Sequence, residues 1–164
     1  MPEEFYARLR TMMVQIVAAH TEATCDSTGL TTINARVLDA MEAVPRQDFV
    51  PAEVCDYAYS DGPLPIGWDK TISQPFITAL MTELLQLEAG MTVLEIGTGL
   101  GYHTALLSEL GGQVYTVEIV EELAEEAERR LKAFGCANVA YKVGNGTNGW
   151  PEHAPFDRII VTAA

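Results

Sequence analysis

Apolar residues recur along the first part of the chain at helical spacing. Residues 3–19 set Phe5, Leu9, Met12, Met13, Ile16 and Val17 three and four positions apart. This spacing predicts an amphipathic helix with that stripe against the core. Thr21 to Thr28 is polar and turn-like. A second helix is predicted around Asn34 to Ala43, with Val37, Leu38 and Met41 inward. Pro45 ends it, because proline lacks the N–H that a helix interior needs. Residues 44–51 read as an extended connector pinned by Pro45 and Pro51, and residues 57–73 as a long loop of aromatic residues, glycine and proline. Such loops inside compact domains are usually functional; the plainer alternative is an ordered surface connector. Ser73 as cap and Pro75 in the first turn then open a helix that buries Phe76, Ile77, Leu80, Met81, Leu84 and Leu85 and stops near Gly90.

From Met91 the pattern changes. Short apolar runs at 91–96, 113–118, about 138–143 and 157–161 read as strands, separated by helical spacing at about 102–110 and 120–134. The last helix turns Leu123, Ala127, Leu131 and Phe134 inward and ends before Gly135 at its C′ position. Its acids form a solvated face, with Glu125–Arg129, Glu126–Arg130 and Glu128–Lys132 in the favourable i,i+4 order. Alternating strands and helices predict the α/β class and a parallel sheet with right-handed crossovers.

Composition narrows the function classes. The length of 164 residues, with 48% hydrophobic and 20% charged residues, fits one globular domain over 1–164. Residues 1–73 would form its helices and loop, and residues 74–164 its α/β core. No apolar run reaches membrane-spanning length, and the start lacks the basic and apolar regions of a signal peptide, so no membrane partner is expected. Cys25, Cys55 and Cys136 are too widely spaced for a disulfide framework or a metal site. Reduced thiols, no metal and a cytoplasmic location follow as expectations. A net charge of −13 argues against a nucleic-acid ligand, which needs a positive face to displace phosphate counterions.

The candidate chemistry lies at Val93-Leu94-Glu95-Ile96-Gly97-Thr98-Gly99-Leu100-Gly101-Tyr102. Its glycines sit in a strand-to-helix turn, where a missing Cβ lets a ligand approach and helix N–H groups favour an electron-rich one. A tight βα connection without a ligand is the alternative. The spacing is G-x-G-x-G, with Tyr102 in the place of the third glycine of the dinucleotide fingerprint, which disfavours a NAD site. Glu118 ends the next strand at the distance expected of a ribose-binding carboxylate.

The chain resembles the protein-L-isoaspartate O-methyltransferases, a family that uses S-adenosylmethionine. The matching segments are Val44-Pro45-Arg46 with Phe49-Val50, Leu64 to Gly67, Thr71-Ile72-Ser73-Gln74-Pro75, Val93 to Tyr102, Val114 to Glu118, Gly144-Asn145-Gly146 with Gly149, and Phe156 to Ala164. The glycine turn is shared by many methyltransferases, whereas Thr-Ile-Ser-Gln-Pro before the first strand is more specific. The resemblance implies a Rossmann-like methyltransferase fold, with strand order 3-2-1-4 within this chain and helices preceding it. It implies that residues 57–73 form a lid and that the substrates are isoaspartyl proteins or peptides.

By the same resemblance, Gly97, Gly99 and Gly101 would pass close to the methionine part of the cofactor, with Glu95, Thr98 and Tyr102 also on the cofactor. Glu118, beside Ile119, would take the ribose hydroxyls, and Asn145-Gly146 would lie against the adenine. Ser73 would stand beside the transferring methyl as the catalytic residue, with Ile72 and Gln74 also on the cofactor. Ile66, Thr71, Ser73, Thr162, Ala163 and Ala164 would face the substrate. Ser73 as a plain helix cap, and Asn145-Gly146 as a plain turn, are the alternatives. A carboxyl group with a pKa of roughly 4 is ionised at neutral pH, so no strong general base is expected. His103 could approach the cofactor, though it also reads as an ordinary helix-start histidine.

The chain departs from the family pattern at Asn145, where aspartate is usual, and at Trp68-Asp69-Lys70, where the approach to Thr-Ile-Ser is usually glycine-rich. The family pattern also continues beyond Ala164. The expectation is therefore an incomplete member, monomeric, with its fourth strand as an apolar edge open to association. Two other functions stay open: methylation of an ordinary aspartate in a modified peptide or of a small molecule, and a non-catalytic fragment that binds S-adenosylmethionine.

Overall fold

The computed structural model describes residues 3–163. Helix α1 spans Glu3–Ala23, a single turn α2 Cys25–Thr28, and α3 Ala35–Ala43. Two strands follow, β1 Leu64–Gly67 and β2 Lys70–Ile72, then α4 Pro75–Leu85. The remaining chain alternates: β3 Thr92–Ile96, α5 Tyr102–Leu110, β4 Gln113–Glu118, α6 Glu121–Phe134, β5 Val139–Val143 and β6 Arg158–Val161. Strands β3 to β6 form one sheet in the order β5-β4-β3-β6, every pair parallel. This is the predicted order 3-2-1-4. Among the described residues no helix is long and apolar enough to cross a membrane.

The core lies between the sheet and its helices. Val93, Val114, Leu106, Leu107, Leu123 and Leu131 are fully buried. Gly135, in the left-handed region at φ +101°, ends α6 with its N–H on Leu131 and Lys132 carbonyls. On the outer face of α6, Glu126 takes both Arg129 and Arg130, and Glu128 pairs with Lys132. The expected Glu125–Arg129 pair is absent, because Arg129 turns one residue further to Glu126.

Several expectations need correction. Helix α1 runs on to Ala23, since the Thr21 and Thr24 hydroxyls donate to the Val17 and His20 carbonyls (both 2.8 Å) and are satisfied inside the helix. Its buried line is Met13, Val17 and Thr21, while Phe5, Met12 and Ile16 are exposed. A stripe that wide exceeds what one helix can bury against its neighbours α3 and α4. In α4 the buried side chains are Pro75, Phe76, Thr78, Ala79 and Thr82, whereas Ile77 and Leu84 are exposed. The Thr78 and Thr82 hydroxyls donate to the carbonyls of Gln74 and Thr78, so burying them leaves no polar group unpaired.

The connector at 44–51 contains a 3₁₀ turn, Arg46–Phe49, between its two prolines. The expected loop at 57–73 holds the antiparallel hairpin β1–β2. Among the described residues β6 is the last strand on its side of the sheet, and Ile159 and Val161 on one of its faces are more than half exposed.

Candidate active site

The ends of β3 and β4 and the loops after them surround a cavity of about 570 Å³, within the usual size range of small-molecule sites. Gly97 leaves β3 at φ +98°, its N–H on the Val117 carbonyl (2.8 Å). A Cβ there would stand 2.7 Å from Thr162 Oγ1 and 2.9 Å from the Ala163 Cβ, so only glycine lets the segment that follows β6 come this close. At Gly101, φ +95°, a Cβ would meet Leu131 at 2.9 Å; its absence seats the start of α5 against α6.

Glu118, at the end of β4, is almost fully buried. Its Oε2 accepts the Gly99 N–H at 2.8 Å and its Oε1 the Val120 N–H at 3.0 Å. A carboxylate has about four lone-pair positions, so each oxygen keeps one for a ligand. Across the cavity lies the hairpin: Ile66 Cδ1 is 3.2 Å from where a Gly99 Cβ would be. Ile66, Thr71, Ile72 and Ser73 all line the cavity.

Ser73 is not the cap of α4. Gln74 holds that position, and neither side chain bonds the helix end. The backbone of Ser73 is instead fixed from behind by Arg46. That guanidinium is fully buried, donates through Nε to the Ala58 carbonyl and through NH2 to the Ser73 carbonyl (both 2.7 Å), and lies over the Tyr102 ring at 4.8 Å. Its remaining nitrogen and the Tyr102 hydroxyl have no partner among the described residues.

His103 also lines the cavity. Its Nε2 is 2.8 Å from Thr82 Oγ1, whose single proton goes to the Thr78 carbonyl. Nε2 therefore carries the imidazole proton. Burial, with the Arg46 charge nearby, pushes the imidazole down to about 4, so the ring is neutral at physiological pH.

Fourteen of the residues predicted for the site line one cavity: Ile66, Thr71, Ile72, Ser73, Gly97, Thr98, Gly99, Tyr102, Glu118, Ile119, Asn145, Gly146, Thr162 and Ala163. Three others do not. Gly101 packs on Leu131. Gln74 turns to Asp61 (Nε2 to Oδ1, 3.0 Å), which also meets His20. Glu95 is completely buried beneath the glycine turn, accepting hydrogen bonds from Thr104 (2.5 Å) and Thr116 (2.7 Å). Thr116 in turn meets Thr98 at 2.6 Å, so Glu95 reaches the cavity only through two hydroxyls. Ala164 lies outside the described residues.

The sequence reading left out the apolar wall of Phe49, Leu100 and Leu123, and also Thr78 and Thr147. Phe49 and Leu100 carried a signal, since each belongs to a matching segment; Leu123, Thr78 and Thr147 look like ordinary helix and turn positions. Asn145 makes a turn as well as lining the cavity. Its Oδ1 accepts both the N–H and the hydroxyl of Thr147, which leaves the amide nitrogen as its free group.

The family model for "Protein-L-isoaspartate(D-aspartate) O-methyltransferase (PCMT)" matches residues 26–164. A curated relative from Polaromonas sp. (strain JS666 / ATCC BAA-500), protein-L-isoaspartate O-methyltransferase 1, is 54% identical over the whole chain, which covers 70% of it. A solved protein-L-isoaspartate O-methyltransferase superposes with a TM-score of 0.79 at 32% identity over 93% of the chain. The chain spans about half of that protein, 47%. A more distant structure, from Plasmodium falciparum, was solved in complex with S-adenosyl-L-homocysteine; at 23% identity and a TM-score of 0.67 over 79% of the chain, it shares the fold. On its sequence and its fold alike, the chain belongs to the protein-L-isoaspartate(D-aspartate) O-methyltransferase family.

Proposed function

We propose that the protein moves a methyl group from S-adenosylmethionine to the α-carboxyl group of L-isoaspartyl residues in damaged proteins, as a cytoplasmic, monomeric repair enzyme. The observation that carries this reading is the meeting, in one cavity, of Thr71-Ile72-Ser73 with the glycine turn and Glu118. Backbone at Gly97 and Gly99 would receive the methionine portion, Glu118 the ribose and Asn145-Gly146 the adenine. When bound, the cofactor supplies a methyl group on a positively charged sulfur.

Within this reading the chain contributes position and dryness. The substrate carboxylate is ionised at neutral pH, so no side chain has to remove a proton. The Ser73 hydroxyl holds one carboxylate oxygen, and Arg46 fixes the backbone that carries Ser73. Ile66, Ile72, Phe49 and Leu100 keep water from the reacting atoms, which strengthens the attraction between opposite charges there. A neutral His103 adds no positive charge to oppose the sulfonium.

Asn145 offers the adenine amino group an amide oxygen already used twice by Thr147. Asn145→Asp supplies a charged acceptor and is expected to tighten S-adenosylhomocysteine about fivefold by calorimetry; weaker or unchanged binding would place the adenine elsewhere. The reading as a whole is tested by mass spectrometry of an isoaspartyl peptide after incubation with S-adenosylmethionine. A base-labile gain of one methyl group is expected. Methylation of aspartyl peptides instead would favour the peptide-tailoring alternative.

A further inference from the structure

We propose that Lys70 is the receptor for the methyl-accepting carboxylate at the mouth of the cavity, and so a determinant of substrate over product. This rests on the methyl-transfer reading above. Lys70 is the only lysine or arginine among the residues that line the cavity. It forms no ion pair among the described residues.

The backbone aims it. Lys70 and Ile72 are two residues apart on β2 and so share a face, and Ile72 is buried against the cavity. The turn that leads into Lys70 has two central residues, Trp68 and Asp69, both in the left-handed region at φ 50° and 55°. That geometry fits the type I′ hairpin turn and is strained for residues other than glycine and asparagine. A strained turn held by strand pairing fixes the register Gly67–Lys70, and with it the place of the Lys70 backbone and the face from which its side chain leaves.

Among the described residues no carboxylate pairs with Lys70. Two other charged side chains line the cavity, Asp69 and Glu118. Glu118 is engaged by two backbone amides, and Asp69 is not within ion-pair distance of Lys70. The protein carries a net charge of −13, which repels an anionic peptide, so a cation at the entrance offsets that field where the substrate enters. In the reaction a carboxylate oxygen bonds the methyl carbon, the sulfur–carbon bond breaks, and its electron pair stays on sulfur. The carboxylate and sulfonium charges vanish together and no proton moves. The ester product is therefore neutral and gives Lys70 nothing to hold.

The test uses the full chain saturated with S-adenosylhomocysteine. A fluorescent isoaspartyl peptide with uncharged neighbours, and the same peptide as its α-methyl ester, are titrated against wild type, Lys70→Gln and Lys70→Arg by anisotropy at low salt. Lys70→Gln is expected to weaken the acid peptide about fivefold, the scale of an exposed ion pair, and the ester less than twofold. Lys70→Arg should stay within about twofold of wild type, and added salt should shrink the acid-peptide difference. In turnover, the KM of Lys70→Gln should rise by the same factor with kcat within about twofold. Equal loss for acid and ester, no loss for either, or loss only for peptides with added acidic neighbours would each overturn the proposal. So would wild type that binds S-adenosylhomocysteine but not the acid peptide; failure to bind S-adenosylhomocysteine at all overturns the methyl-transfer reading itself.

Discussion

Glu118→Ala is expected to weaken S-adenosylhomocysteine binding by about a hundredfold, read by titration calorimetry. Three contributions add in one direction. The ribose loses a charged acceptor, and bonds to charged groups are roughly twice as strong as neutral ones. The Gly99 N–H loses the carboxylate that holds the glycine turn in place, and the Val120 N–H loses its partner at the start of α6. The side chain is almost fully buried, so water replaces these bonds poorly. Glu118→Gln keeps one acceptor of the same shape and should lose about tenfold. A change under threefold in the alanine variant would mean that Glu118 serves the turn and not the ligand.

The second large effect is on stability and comes from Glu95. Burial raises its carboxyl from the usual 4.5 to about 7, against the pull of the Thr104 and Thr116 hydrogen bonds and helped by the Glu118 charge. The folded protein therefore keeps a proton that the unfolded chain has released. Stability from this group is full below about pH 4.5, falls as the pH rises, and is lost by about pH 7. The fall amounts to roughly 3 kcal/mol. Glu95→Gln does not titrate, so its stability relative to wild type should rise by that amount across the window, measured by urea unfolding at several pH values. Parallel profiles for the two proteins would show that Glu95 is ionised throughout.

Glu95 also shows where sequence reading stops. Its place two residues before Gly97 suggested a ligand contact, yet strand alternation turns it beneath the turn. The hydroxyls that receive it there, Thr104 and Thr116, and Thr98 behind Thr116, have no spacing that marks them as a set. The regular α/β half was legible because buried parallel strands are short apolar runs and the helices between them are periodic; β4, Gln113–Glu118, falls on its predicted residues. Glu118 was legible for the same reason, being a lone acid at the end of such a run.

Tertiary partners decided the rest. Arg46 lies in a proline-bounded connector whose residue pattern does not mark it for burial, and the Ala58 and Ser73 carbonyls account for that burial. The hairpin at 64–72 was hidden because its turn uses Trp68 and Asp69 in place of the glycine and asparagine that signal such turns. Gln74 displaced Ser73 as the first residue of the helix end, a one-residue shift that frees the serine to face the cavity.

The central claim is that this cavity methylates isoaspartyl carboxylates. The most direct measurement offers S-adenosylmethionine with two peptides identical except for aspartate or isoaspartate at one position, followed by mass spectrometry. The account predicts a base-labile methyl ester on the isoaspartyl peptide and none on its aspartyl twin. Equal transfer to both, or no transfer to either while S-adenosylhomocysteine binds, would contradict it.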